Sequence, residues 1–316
     1  MASTTVRTGG AGSDWCPLSL MWRGRCGNKL SEITRFSASP FVRLDPFNAR
    51  MPPHVTIGPM APVDLAHDDT GDGPVVVLIH GHPFNRGMWA PQLAALRDFR
   101  VIAPDLRGYG DSPVTPGTVT MAQLAADVSH LLDRKGIATA ALAGLSMGGL
   151  VVMELAAARP ERWWAYGFIA TTAQRVTAEE AQARLASART MEEQGMRPVA
   201  EQMAARLFGP EPSAKLTAQI MAMMLATSPA GAAAAVRGRA ERPDYQPVLK
   251  SLSAPALVCA GDRDSYSTAE ITAELAGCLP GPEVVIMAGV GHLPNLERPG
   301  DFNEHLVRFL GRARPR

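Results

Sequence analysis

Six short apolar runs recur between residues 74 and 289, and stretches with helical spacing separate them. No other feature of the chain restricts its fold as tightly. The runs are "PVVVLIH" (74–80), "FRVIAPD" (99–105), "TAALAGLS" (139–146), "WAYGFIAT" (164–171), "PALVCAG" (255–261) and "EVVIMAG" (283–289). Consecutive apolar residues mark a strand that is covered on both faces, as in a parallel sheet. The intervals read as helices. In "TMAQLAADVSHLLDRKG", Met121, Leu124, Ala125, Val128, Leu131 and Leu132 share one helical face. Thr120 suits the N-cap and Gly136 the C′ position. Strands and helices in alternation predict an α/β fold: an open, mostly parallel sheet with helices on both faces.

The alternation breaks at residues 173–250, which hold no convincing strand and read as three or four helices. Such an insertion, at the face where strands end, is placed to act as a helical cap, or lid. The α/β core is then 60–172 and 251–316. The insertion's methionines, at 191, 196, 203, 221, 223 and 224, read as core filling. Residues 1–59 lack a sustained period and are poor in acids. They read as a disordered tail or as an over-extended start upstream of Met51 or Met60. An organelle transit peptide also fits their composition.

The net charge of +1 argues against nucleic acid or an anionic membrane as a partner. No apolar stretch approaches the roughly 20 residues of a membrane span. The cysteines are four, Cys16, Cys26, Cys259 and Cys278, without CxxC spacing. They suggest neither a zinc site nor a disulfide framework, and a cytoplasmic setting is expected.

In a parallel α/β sheet, reactive groups gather beyond the carboxyl ends of the strands. After the third run comes "GLSMGG", a strand–turn–helix that would present Ser146 at a helix N-terminus as a nucleophile. After "PALVCAG" comes "GDRDS", where Asp262 and Asp264 compete as the acid. Asp264 has the better reach, while Asp262 suits the turn itself. After the last run, His292 lies in "GVGHLPNLERP" and is the only histidine following a strand beyond the acid. His80, at the end of the first run, reads as a structural hydrogen-bonding group. An attacked carbonyl also needs two backbone N–H donors. One should follow the nucleophile, at Met147, and one should come from the loop after the first strand, at His82.

Together, "HGHP", "APDLRGYGDS", "GLSMGG", "GDRD" and "GHLPNLERP" resemble the α/β-hydrolase superfamily over residues 62–312. Within it the chain is most similar to small bacterial carboxylesterases, 3-oxoadipate enol-lactonases and cofactor-free haloperoxidases. The resemblance implies an α/β-hydrolase fold and a triad of Ser146, Asp264 and His292. It also implies an oxyanion site at His82 and Met147, and largely structural roles for Asp105, Arg107 and Asp111. It implies chemistry without a metal or organic cofactor. The expected activity is hydrolysis of a small, fairly apolar ester or lactone through an acyl-enzyme. Two rivals stand beside it: a carbon–carbon bond hydrolase of the meta-cleavage type, and a ligand-sensing protein on a hydrolase fold.

Overall fold

The computed structural model describes residues 60–315; the expectations for residues 1–59 fall outside the described residues. The first strand, β1 (His67–Thr70), is one the sequence does not announce. Its residues, HDDT, include no apolar side chain, because β1 is an exposed edge strand, antiparallel to its neighbour. The six apolar runs form the rest of the sheet. They are β2 (Val75–Ile79), β3 (Arg100–Pro104), β4 (Ala140–Leu145), β5 (Trp163–Ile169), β6 (Ala256–Gly261) and β7 (Glu283–Met287). The strand order is β1-β3-β2-β4-β5-β6-β7, and every pair beyond β1–β3 is parallel.

The helices are α1 (Ala90–Ala95), α2 (Met121–Arg134), α3 (Met147–Ala158), α4 (Ala178–Gln194), α5 (Arg197–Leu207), α6 (Ala214–Ala226), α7 (Pro229–Ala240), α8 (Gln246–Ser251), α9 (Ala269–Gly277), α10 (Pro294–Glu297) and α11 (Pro299–Ala313). Because side chains alternate across a strand, each buried strand feeds two cores. Val77 and Ile79 pack on one face with Leu124 and Val128 of α2 and Leu150 and Val151 of α3. Val76 and Leu78 pack on the other with Trp89 and with Phe302, Leu306 and Phe309 of α11. Helix α2 begins at a reciprocal cap, in which the Thr120 hydroxyl accepts from Gln123 N–H and the Gln123 side chain accepts from Thr120 N–H. Gly136, just past its end, has φ +68°.

Five helices, α4–α8, lie between β5 and β6, where the sequence reads as three or four. The short α8 is the one beyond that count, and the long run after residue 213 divides at Thr227–Ser228. Ser228 caps α7, Pro229 opens it, and α6 and α7 meet at a bend of 91°. Among the described residues no single helix is long and apolar enough to cross a membrane, although this bent pair matches a broken span in length and composition. Ala232, Ala233 and Val236 of α7 are instead buried against Met191, Met196 and Val199. Met191, Met196 and Met224 are buried, while Met203, Met221 and Met223 pack at the margin of the core.

The loop after β3 is braced by its own polar side chains. Asp105 accepts from the backbone N–H groups of Arg86 and Asp111 and pairs with the Arg86 guanidinium. Arg107 and Asp127 form a buried two-bond pair at 2.7 and 2.6 Å.

Candidate active site

The chain leaves β2 toward one side of the sheet, to β3, and leaves β4 toward the other, to β5. A crevice opens where such directions diverge. The loop after β2 carries His82, and the turn after β4 carries Ser146, so the divergence brings these two segments side by side.

Ser146 sits at φ +53°, ψ −113°, a conformation that L-residues rarely adopt. Two contacts hold it there: Ser146 N–H donates to Ile169 C=O at 2.8 Å, and the Thr171 hydroxyl donates to Ser146 C=O at 2.7 Å. The turn closes only because Gly144 and Gly148 lack a Cβ. At Gly144 a Cβ would collide with the backbone of Gly148, and at Gly148 with the carbonyl oxygens of Ile79 and His80. Helix α3 begins directly after Ser146, so its positive end faces any anion formed at the hydroxyl.

The loops after β6 and β7 bring Asp264 and His292 together. His292 Nδ1 lies 2.8 Å from Asp264 Oδ2, and both side chains are buried. Asp264 Oδ1 accepts from Tyr266 N–H at 2.8 Å and Ser267 N–H at 3.0 Å. Burial opposes the charge on Asp264, but the hydrogen bond and charge of His292 and the two N–H groups outweigh it. They hold its pKa below the ordinary carboxylate value. A carboxylate accepts only, so Nδ1 carries the proton and Nε2 is left with its lone pair. His292 N–H donates to Leu207 C=O at 2.7 Å, and its ring lies 5.0 Å from that of Tyr266. Asp262 instead accepts from Gly289 N–H at 2.7 Å and serves the turn.

His82 and Met147 lie on the two segments joined at the crevice, and their backbone N–H groups make no hydrogen bond among the described residues. Met147, as the first residue of α3, has no helical partner for its N–H. The His82 imidazole contacts Tyr109, Nδ1 to the hydroxyl at 2.8 Å. Burial, then the charges of Arg239 and His80, press its pKa well below the usual value. His80 is a structural group: Nδ1 donates to Gly81 C=O and Nε2 accepts from Leu106 N–H, at 2.8 and 2.9 Å.

Ser146, His82 and His292 open onto one cavity of about 540 Å³. Asp264 sits behind His292. Helices α4, α5 and α7 supply much of the remaining wall, including Arg184, Met203, Val236 and Arg239. The sequence reading did not single out Tyr109, Thr171, Tyr266 or these arginines. Only an arginine set in the alanine-rich stretch "GAAAAVRGRA" hinted at the last of them. Among the described residues no group of three or more His, Cys, Asp or Glu side chains could hold a metal ion.

A seven-stranded, mostly parallel sheet with this turn after β4 defines a hydrolase architecture, and the sequence agrees with it. The chain belongs to the alpha/beta hydrolase family, whose sequence profile matches residues 76–305. It is 34% identical over 245 residues to 3-oxoadipate enol-lactonase 2 of Acinetobacter baylyi, covering 76% of this chain and 90% of that protein. Among solved structures, a thermophilic esterase from Thermogutta terrifontis superposes with a TM-score of 0.78 at 36% identity, covering 80% of this chain and 95% of that one. The enol-lactonase of Burkholderia xenovorans LB400 does so with a TM-score of 0.71 at 32% identity, covering 78% and 96%.

Proposed function

We propose that the protein is a serine hydrolase that cleaves a carboxylic ester or lactone through an acyl-enzyme. One observation carries the reading: a serine in a strained turn at a helix N-terminus shares a cavity with a histidine that is hydrogen-bonded to a buried carboxylate. His292 Nε2 takes the Ser146 proton as the hydroxyl oxygen attacks the carbonyl carbon. Asp264 fixes the tautomer and stabilises the imidazolium. The N–H groups of Met147 and His82 receive the oxyanion, a contact worth about 3 kcal/mol per donor. The tetrahedral adduct collapses and the alkoxide leaves with the proton from His292. Water, deprotonated by His292, then releases the acid from Ser146.

The named activities of the relatives, enol-lactonase and esterase, favour ester or lactone cleavage over carbon–carbon cleavage. Residues 173–250 act as the cap on this site, since α4, α5 and α7 contribute its wall. Cys259 and Cys278, buried and free, fit a cytoplasmic setting. The test is Ser146→Ala. It should abolish p-nitrophenyl acetate hydrolysis and remove the mass increment that a fluorophosphonate adds to the wild type. Full activity in the variant would refute the assignment.

A further inference from the structure

His292 is held by more than its bond to Asp264. Its own N–H donates to Leu207 C=O, where α5 ends and the link to α6 begins. The N–H groups on either side of it, those of Gly291 and Leu293, both donate to the carboxylate of Glu297, the last residue of α10. Gly291 N–H is shared between the two oxygens at 3.1 Å each, and Leu293 N–H meets Oε1 at 3.1 Å. Oε2 also accepts from Gly209 N–H at 2.7 Å, and Gly209 lies in the α5–α6 link. One carboxylate thus clamps the backbone of the base on both sides and fastens it to the cap.

Glycines bring the two segments together. A Cβ on Gly291 would lie 2.5 Å from the Leu207 carbonyl oxygen and 2.6 Å from Gly209 N. The histidine loop and the cap link therefore touch backbone to backbone. The end of α5 grips the acid as well. The Ser265 hydroxyl donates to Arg206 C=O at 3.0 Å, and the Arg206 guanidinium covers the ring of Tyr266, whose N–H holds Asp264. Helix α5 is also a wall of the cavity, through Val199, Gln202 and Met203. The wall that a substrate meets and the mount of the acid and base are parts of one helix and its end.

We propose that Glu297 is the positioning residue of the base: it ties the His292 backbone to the end of α5, so that the cap and His292 move as one body. This rests on the hydrolase reading. Glu297 is not part of the cavity wall and acts only through His292. Rotation of the His292 backbone would swing Nε2 away from the Ser146 hydroxyl, and a misplacement of about 1 Å costs about 100-fold in rate.

Glu297→Ala removes the acceptor from all three N–H groups. Glu297→Gln keeps one oxygen, which serves the His292 loop or the cap link but not both, and its NH₂ opposes the donor left over. With p-nitrophenyl acetate, kcat should fall about 100-fold in the alanine variant and less in the glutamine variant, while KM stays within about threefold in both. Thr120→Ala, which weakens the cap of α2 away from the site, should lower Tm without changing kcat. Two readouts report position without turnover. The His292 Nδ1 proton, bonded to Asp264, is followed by proton NMR and should shift or broaden in Glu297→Ala. Amide exchange at Gly209 should speed up there together with that at Gly291 and Leu293. If the alanine variant does not fold, the glutamine variant carries the same measurements. A folded variant that keeps the wild-type kcat, a change in KM alone, or Gly209 exchange at the wild-type rate overturns the proposal. If fluorophosphonate fails to label wild-type Ser146 while the His292 proton still shifts in the variant, the hydrolase reading fails and the clamp stands.

Discussion

Replacing Asp264 by Asn is a sharp test of the site, because the surrounding hydrogen bonds dictate how the new amide must sit. Asp264 Oδ1 receives two backbone N–H groups, from Tyr266 and Ser267. Only the amide oxygen can take that place. The NH₂ then faces His292 Nδ1, 2.8 Å away, and must donate to it. His292 is forced to carry its proton on Nε2, where it cannot accept one from Ser146. Escape requires turning the amide over, which opposes NH₂ to two N–H donors. Leaving two buried donors unsatisfied costs about 1–3 kcal/mol each, so about 2–6 kcal/mol together. The productive form is thus depleted by at least about 30-fold, and by as much as about 10⁴-fold. The assay is kcat/KM for p-nitrophenyl acetate, with Tm as a check on folding. Asp262→Asn is the control and should stay within about threefold, because Asp262 faces its own turn, accepting from Gly289 N–H and lying 3.7 Å from the exposed Arg263. A folded Asp264→Asn enzyme that loses less than about tenfold would refute the reasoning on the tautomer.

Three further outcomes follow from other parts of the molecule. Gly148→Ala should cost stability by more than the usual 1–3 kcal/mol of an overpacked site, because the added Cβ meets backbone carbonyls, including that of His80 at 2.8 Å. Gly300→Ala, with open space around it, should leave the urea midpoint unchanged or higher; equal effects of the two would count against the close approach at the turn. Asp127→Asn strands the Arg107 charge in the core and should cost about 3–5 kcal/mol in urea unfolding, while a loss under about 1 kcal/mol would show the pair to be dispensable. Burial lowers the pKa of His80 and His82 below the ordinary 6.5, so the unfolded chain takes up protons first on acidification. Stability is therefore full above about pH 6.5 and falls below it, by about 1.4 kcal/mol per pH unit for each histidine that stays neutral when folded. An unfolding free energy that stays flat between about pH 7.5 and 5.5 would contradict this.

The sequence by itself determined the six parallel strands, because unbroken apolar runs such as Val75–Ile79 and Ala256–Gly261 are stable when covered on both faces; β7 departs from that expectation, since it lies at the other edge of the sheet and leaves Val284 and Ile286 exposed. It also placed Ser146, Asp264 and His292 beyond strand ends, since a parallel sheet sends every such end to the same side. Local chemistry was legible too, as in the Thr120 and Gln123 cap of α2. Tertiary structure alone decided the rest. Strand β1 carries no apolar signal, and pairing with β3 creates it. Reach along the loop already favoured Asp264 over Asp262 in the sequence, but the 2.8 Å approach to His292, 28 residues away, comes only from the fold. The long helical run after residue 213 divides at Thr227–Ser228, where the Ser228 hydroxyl and Pro229 start a new helix. Above all, the arginines at 184, 239 and 242 are unremarkable surface cations by composition. They become a charged wall only because α4 and the end of α7 turn them toward one cavity, where burial removes the water that would otherwise screen them.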